Sequence, residues 1–285
     1  MAKQNSLSIQ AHLSIRDSLY RKLVLNDSLN KSEQLRLAQD DAIGIRAYLA
    51  KRGGELRKST QRILAEDANV EVRSEVAKQN GLCKMVQRLL ADDIDDDVRT
   101  LLAASGDHEN DVQIKLSIDS CVNVRNALAK SDYLCCDAQR ELVDDSNHIV
   151  RLSLARSDEI CADSQVILAN DPVRIVRIAV AESPHTANVA AHHILAQDED
   201  EDVRIAFAGS IRVGFGASNS DIQFILANDS SHKVRQALAG NDTLHPEVML
   251  KLAEDPNAGV RDALAQNDAI SKAAKKKLNR NPSII

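Results

Sequence analysis

The sequence predicts an all-α fold, a solenoid of about nine 26-residue two-helix repeats with a degenerate cap at each end. Three observations carry that expectation. The first is a phrase that recurs nine times: Asp, four variable residues, Val or Ile, then Arg. Its copies are Asp40–Arg46, Asp67–Arg73, Asp93–Arg99, Asp119–Arg125, Asp145–Arg151, Asp171–Arg177, Asp198–Arg204, Asp229–Arg235 and Asp255–Arg261. The second is its spacing. Successive arginines stand 27, 26, 26, 26, 26, 27, 31 and 26 residues apart, a regularity that marks stacked supersecondary units rather than one closed core. The third is the pair of short apolar helical stretches in each period, too short to persist in water unless they stack on the next pair.

The elements follow in order. Residues 1–30 show weak echoes of the repeat, Leu25-Asn26-Asp27-Ser28-Leu29 against Gly240-Asn241-Asp242-Thr243-Leu244, and predict an N-terminal cap. Residues 31–269 predict the repeats themselves. The last full one shows the plan: a loop at Asn241-Asp242-Thr243, and a first helix from Pro246, where the missing N–H of proline costs nothing. A turn punctuated by Asp255-Pro256 follows, and then a second helix from Val260. Leu252, Ala253, Val260, Ala263 and Leu264 fall on one apolar stripe. Alanine recurs four residues after each arginine, from Ala50 and Ala77 to Ala239 and Ala265, where a small side chain lets layers approach closely. Residues 270–285 predict a capping half-repeat, with Leu278 placed 26 residues after Leu252 and Lys272, Lys275, Lys276 and Lys277 on a solvated face.

Composition narrows the function classes. Aromatic residues make up 2% of the chain and Trp is absent, so the core is expected to be thin layers of Leu, Ile, Val and Ala. A net charge of −6 argues against non-specific binding to nucleic acid or to an anionic membrane. No run of about 18 apolar residues predicts a membrane span, and Met1-Ala2-Lys3-Gln4-Asn5 shows no apolar leader core. Five cysteines without a CxxC pair fit a reduced, cytoplasmic setting.

The Asp and Arg of the phrase admit two readings. In one, Asp brackets the turn before the second helix and Arg forks to the Asp of its own or a neighbouring repeat, a charge ladder that fixes register. In the other, a row of arginines grips an acidic partner. Every Arg arrives with an Asp at fixed spacing, which favours the ladder.

Asp-x-x-x-x-Val-Arg between two short helices resembles the HEAT-like repeat. The short period, and stretches such as Leu252–Asp268 and Ile167–Pro184, resemble the leucine-rich repeat variant more closely. The resemblance spans nearly the whole chain and implies a right-handed superhelix of short paired helices, with an adaptor or assembly role in a bacterial-type cytoplasm. It also implies an N-terminal cysteine cluster for an iron–sulfur centre. This chain has no cysteine before Cys83, so that cofactor is not carried over and none is expected.

Departures from the repeat are where function is expected, because the scaffold does not need them. The residue after each Arg reads Ala47, Ser74, Thr100, Asn126, Leu152, Ile178, Ile205, Gln236 and Asp262. Leu152, Ile178 and Ile205 predict an apolar patch in three consecutive repeats, unless curvature buries them. Four residues further on, Lys51, Lys78, Lys130 and Arg156 make a basic half-stripe suited to an acidic, partly apolar peptide, or simply to helix C-termini. The 31-residue interval holds extra residues around Phe215, a glycine-flanked aromatic that can tip a binding loop or sit on a tolerated bulge. Acidic clusters at Asp92–Asp97 and Asp198–Asp202 precede second helices, where carboxylates favour the positive helix end.

No nucleophile, base and orienting group stand together in the pattern, so no enzyme is predicted. Cys83, Cys135 and Cys161 share a phase. With Cys136 they leave a soft metal or redox site open, against the plainer reading of small side chains at helix starts. The leading function is a non-enzymatic scaffold binding a protein or peptide on the concave face of the second helices. The alternative is a nucleic-acid-binding or DNA-repair protein of the HEAT-like glycosylase type, against which the acidic charge and missing Trp count. A helper resembling the phycobilin lyases ranks last.

Overall fold

The computed structural model describes residues 16–106, 108–183, 188–211 and 217–280. Among them the regular structure is helical, and no strand occurs. A helical stretch over 16–24 precedes the repeats. The first helices of successive repeats are α1 (Lys31–Ala38), α3 (Lys58–Ala65), α5 (Lys84–Ala91), α7 (Asn110–Ser117), α9 (Cys136–Val143), α11 (Ala162–Ala169), α13 (Val189–Ala196), α15 (Ala217–Ala227), α17 (Pro246–Leu252) and α19 (Lys272–Leu278). The second helices are α2 (Ile43–Ala50), α4 (Val70–Ala77), α6 (Asp96–Ser105), α8 (Val122–Ala129), α10 (His148–Ala155), α12 (Arg174–Glu182), α14 (Glu201–Ser210), α16 (His232–Ala239) and α18 (Ala258–Ala265).

The chain divides into two compact units, Met1–Ala138 and Gln139–Ile285. In the first, α1, α3, α5 and α7 stack in one row and α2, α4, α6 and α8 in a second. In the second, α11, α13, α15, α17 and α19 form one row and α10, α12, α14, α16 and α18 the other. Each unit is thus a solenoid of helical repeats. Its helices are mostly two turns long and draw their stability from the layers on either side.

The sequence explains the stacking position by position. Valine immediately before the ladder arginine is fully buried at Val72, Val98, Val124, Val150, Val176, Val203, Val234 and Val260. On the first helices, the leucine three residues after a recurring glutamine is fully buried at Leu64, Leu90, Leu116, Leu142, Leu168 and Leu226, and Leu252, three residues after Met249, is buried in the same way. The alanines four residues after each arginine are buried from Ala50 to Ala239. Ala265 is exposed; among the described residues α18 is the last second helix of its row. Ala263, expected on the apolar stripe, is only half-buried, since it falls on the outward side of α18 with Asp262.

Each second helix starts in the same way. The carboxylate of the ladder Asp accepts the backbone N–H two residues on, at Ala42, Asn69, Asp95, Cys121, Asn147, Val173, Asp200, Ser231 and Asn257. Those residues are the N-caps of α2 to α18. Where they are Asn, Asp or Ser, as at Asn69, Asp95, Asn147, Asp200, Ser231 and Asn257, their own side chains accept from the first turn of the helix. The Asp therefore shapes the turn, and the residue two after it caps the helix.

Candidate functional site

The arginine of the repeated phrase works across layers. Its Nε and Nη2 fork onto the carboxylate of the next repeat's Asp. In the first unit Arg46 holds Asp67, Arg73 holds Asp93 and Arg99 holds Asp119, with Nε–O distances of 2.5, 2.7 and 2.7 Å. In the second, Arg151 holds Asp171, Arg177 holds Asp198, Arg204 holds Asp229 and Arg235 holds Asp255, at 2.6 to 2.7 Å. The remaining nitrogen, Nη1, donates back to the main-chain carbonyl of the Asp that opens the same phrase. This occurs in all nine copies, Arg125 to Asp119, Arg151 to Asp145 and Arg261 to Asp255 included. One planar fork so ties a turn to itself and to its neighbour. Asp40, which has no preceding phrase, receives Arg16 Nη2 at 2.8 Å instead.

These carboxylates stand largely out of water, with side chains 3% to 9% exposed at the paired positions. Burial pushes the carboxyls of Asp67, Asp119 and Asp255 up. The arginine fork, the turn amide and the charges of two arginines outweigh it and hold all three below the usual carboxylate range. The fork to its Asp in turn raises Arg46, Arg73, Arg99, Arg151, Arg177, Arg204 and Arg235. These arginines are engaged within the scaffold.

A second ladder, absent from the sequence-based expectations, runs through the first helices. Gln34, Gln61, Gln87, Gln113, Gln139, Gln165 and Gln223 all stand 12 residues before a ladder arginine. They are 1% to 6% exposed. Each carboxamide oxygen accepts the backbone N–H where the next repeat's first helix begins: Arg57, Cys83, Glu109, Cys135, Cys161, Asn188 and His245. Their amide nitrogens donate to carbonyls of the inter-repeat loops, for example those of Leu82, Tyr133 and Thr243. The recurring spacing was the available signal. Two phases depart from it. Met249 meets the Ser271 N–H through its sulfur. His192 packs against Phe207 with ring centroids 5.4 Å apart, immediately before the long interval.

This second ladder accounts for the shared phase of Cys83, Cys135 and Cys161, whose main-chain N–H groups are its targets. Cys83, Cys121 and Cys135 are half-buried free thiols. Among the described residues no three His, Cys, Asp or Glu side chains group as a metal site. The acidic clusters are likewise used locally: Asp95 and Asp200 cap α6 and α14, while Asp93 and Asp198 are rungs of the arginine ladder.

The outward face of the second helices is the remaining candidate. Leu152, Ile178 and Ile205 lie on α10, α12 and α14, which stack consecutively in the second unit, and each is half-buried. One turn earlier on the same face, Ile149 and Ile175 are each 45% exposed. Comparing repeats at the residue after each arginine does not reach them, because their phase lies one turn nearer the helix N-terminus. The five aliphatic side chains thus occupy two neighbouring phases on three stacked helices.

Lys51, Lys78, Lys130 and Arg156 are all exposed, and each is the C-cap residue of its helix, α2, α4, α8 and α10. The position accounts for the charge, since a cation there meets the negative helix end. Lys78 pairs with Glu75 at 2.7 Å, and Lys51 stands 5.8 Å over the Tyr48 ring. Lys130 borders a shallow groove of about 340 Å³ with Thr100, Asn123 and Asn126. Phe215 lies outside the described residues.

No helix of the described residues is long and apolar enough to cross a membrane. No protein-family model matches the sequence, and no curated protein does. Among solved structures, the chain is similar to a leucine-rich repeat variant described as having a novel repetitive structural motif. That match has 20% identity, covers 80% of this chain and 88% of that one, and has a TM-score of 0.51. The X-ray structure of the Escherichia coli protein YibA also aligns, at 16% identity over 92% of this chain and 96% of that one. Its TM-score of 0.29 adds nothing to the argument. Repeating two-helix layers, a period near 26 residues and this likeness together lead to one conclusion: the chain has the fold of a leucine-rich repeat variant.

Proposed function

We propose that this protein is a non-enzymatic interaction scaffold that binds a protein or peptide segment along the outward face of its second helices. The observation that carries the reading is the apolar face of Ile149, Leu152, Ile175, Ile178 and Ile205 on α10, α12 and α14. The same phases elsewhere hold Glu71, Asp97, Asn123, Lys233 and Gln236, and those repeats stack equally well. Exposed Ile149 and Ile175 in two adjacent layers, beside half-buried Leu152, Ile178 and Ile205, make the kind of apolar surface that marks a partner site. The buried Asp, Arg and Gln side chains, by contrast, belong to the two ladders.

The test is affinity capture from the native cell with the wild-type chain and with Ile149→Asp/Ile175→Asp. Both positions are exposed, so the variant should keep its helicity by circular dichroism. Loss of specific partners is expected. Recovery of the same partners in the same amounts by the folded variant would sink the reading.

A further inference from the structure

We draw no further inference here: the strongest candidate, the groove of about 460 Å³ where α3 and α5 begin, lined by Arg57, Lys58 and Lys84, rests on two helix N-termini and exposed cations, of which Lys84 is already paired with Glu109 at 2.7 Å, and no second observation points to a ligand there.

Discussion

Removing one carboxylate from the arginine ladder tests whether the ladder holds the layers together. Asp171 accepts Arg151 Nε at 2.6 Å and Nη2 at 3.1 Å, and it accepts the Val173 N–H at 2.8 Å. The two side chains are 11% and 3% exposed, so little solvent screens them. Asp171→Ala leaves the Arg151 guanidinium buried and held only through Nη1 on the Asp145 carbonyl. Breaking a buried pair from one side costs about 3–5 kcal/mol, to which the lost turn bond adds about 1 kcal/mol. Adding Arg151→Met removes the stranded charge and leaves an apolar stem in place. The double variant should lose only about 2 kcal/mol, from the turn bond and the Asp145 carbonyl bond. Arg261→Ala is the control. Among the described residues that last arginine of the row has only carbonyl partners, Asp255 and Pro256, and its removal should cost about 1 kcal/mol. The assay is urea unfolding followed by helical circular dichroism, read as a double-mutant cycle. Destabilisation of the double variant equal to the sum of the two single variants would refute the ladder as a coupled element. So would equal costs for Arg261→Ala and Arg151→Ala.

Two other outcomes follow from the same geometry. Gln139→Leu keeps the volume but leaves the Cys161 N–H and the Glu159 carbonyl without the carboxamide that binds each at 2.8 Å; a loss of about 2–4 kcal/mol in urea unfolding is expected, and a neutral result would deny the second ladder its role. The pH dependence has a defined sign. Asp67, Asp119 and Asp255 have folded-state values below their ordinary ones, so their contribution is fully present above a pH of about 4 and is lost as the pH falls through the folded values. The urea midpoint should be level from neutrality down to a pH of about 5 and drop below about 4. A midpoint that rises on acidification would contradict the pairing.

Much of the architecture was legible because a solenoid repeats its physics at a fixed interval. The Asp and Arg of the phrase gave the period, and the alanine row gave the close approach of layers. Pro246, indeed, starts α17 at its first residue. The glutamine ladder was equally periodic in the sequence. In sequence alone, a polar residue on a short helix reads as solvent-facing, and only the fold shows the buried loop amides that need an acceptor. The apolar face was half legible. Leu152, Ile178 and Ile205 were picked out by comparing repeats, but Ile149 and Ile175 sit a turn earlier, at a phase whose exposure depends on how far each layer rotates on the next.

The sequence by itself determined the unit and its count: nine phrases, two short helices each, with cores of Leu, Val and Ala and a turn bracketed by Asp. Those follow from local chemistry, because helix period, turn residues and capping act within about ten residues of one another. Only the tertiary structure decided which carboxylate each arginine takes. The phrase offers an Asp six residues away, and the chain takes the side chain of the next repeat and only the carbonyl of its own. The reason is geometric. A planar guanidinium reaches two acceptors in different directions, and the carboxylate in fork position belongs to the neighbouring layer, whose place is set by the stacking of buried valines and alanines rather than by anything within one repeat.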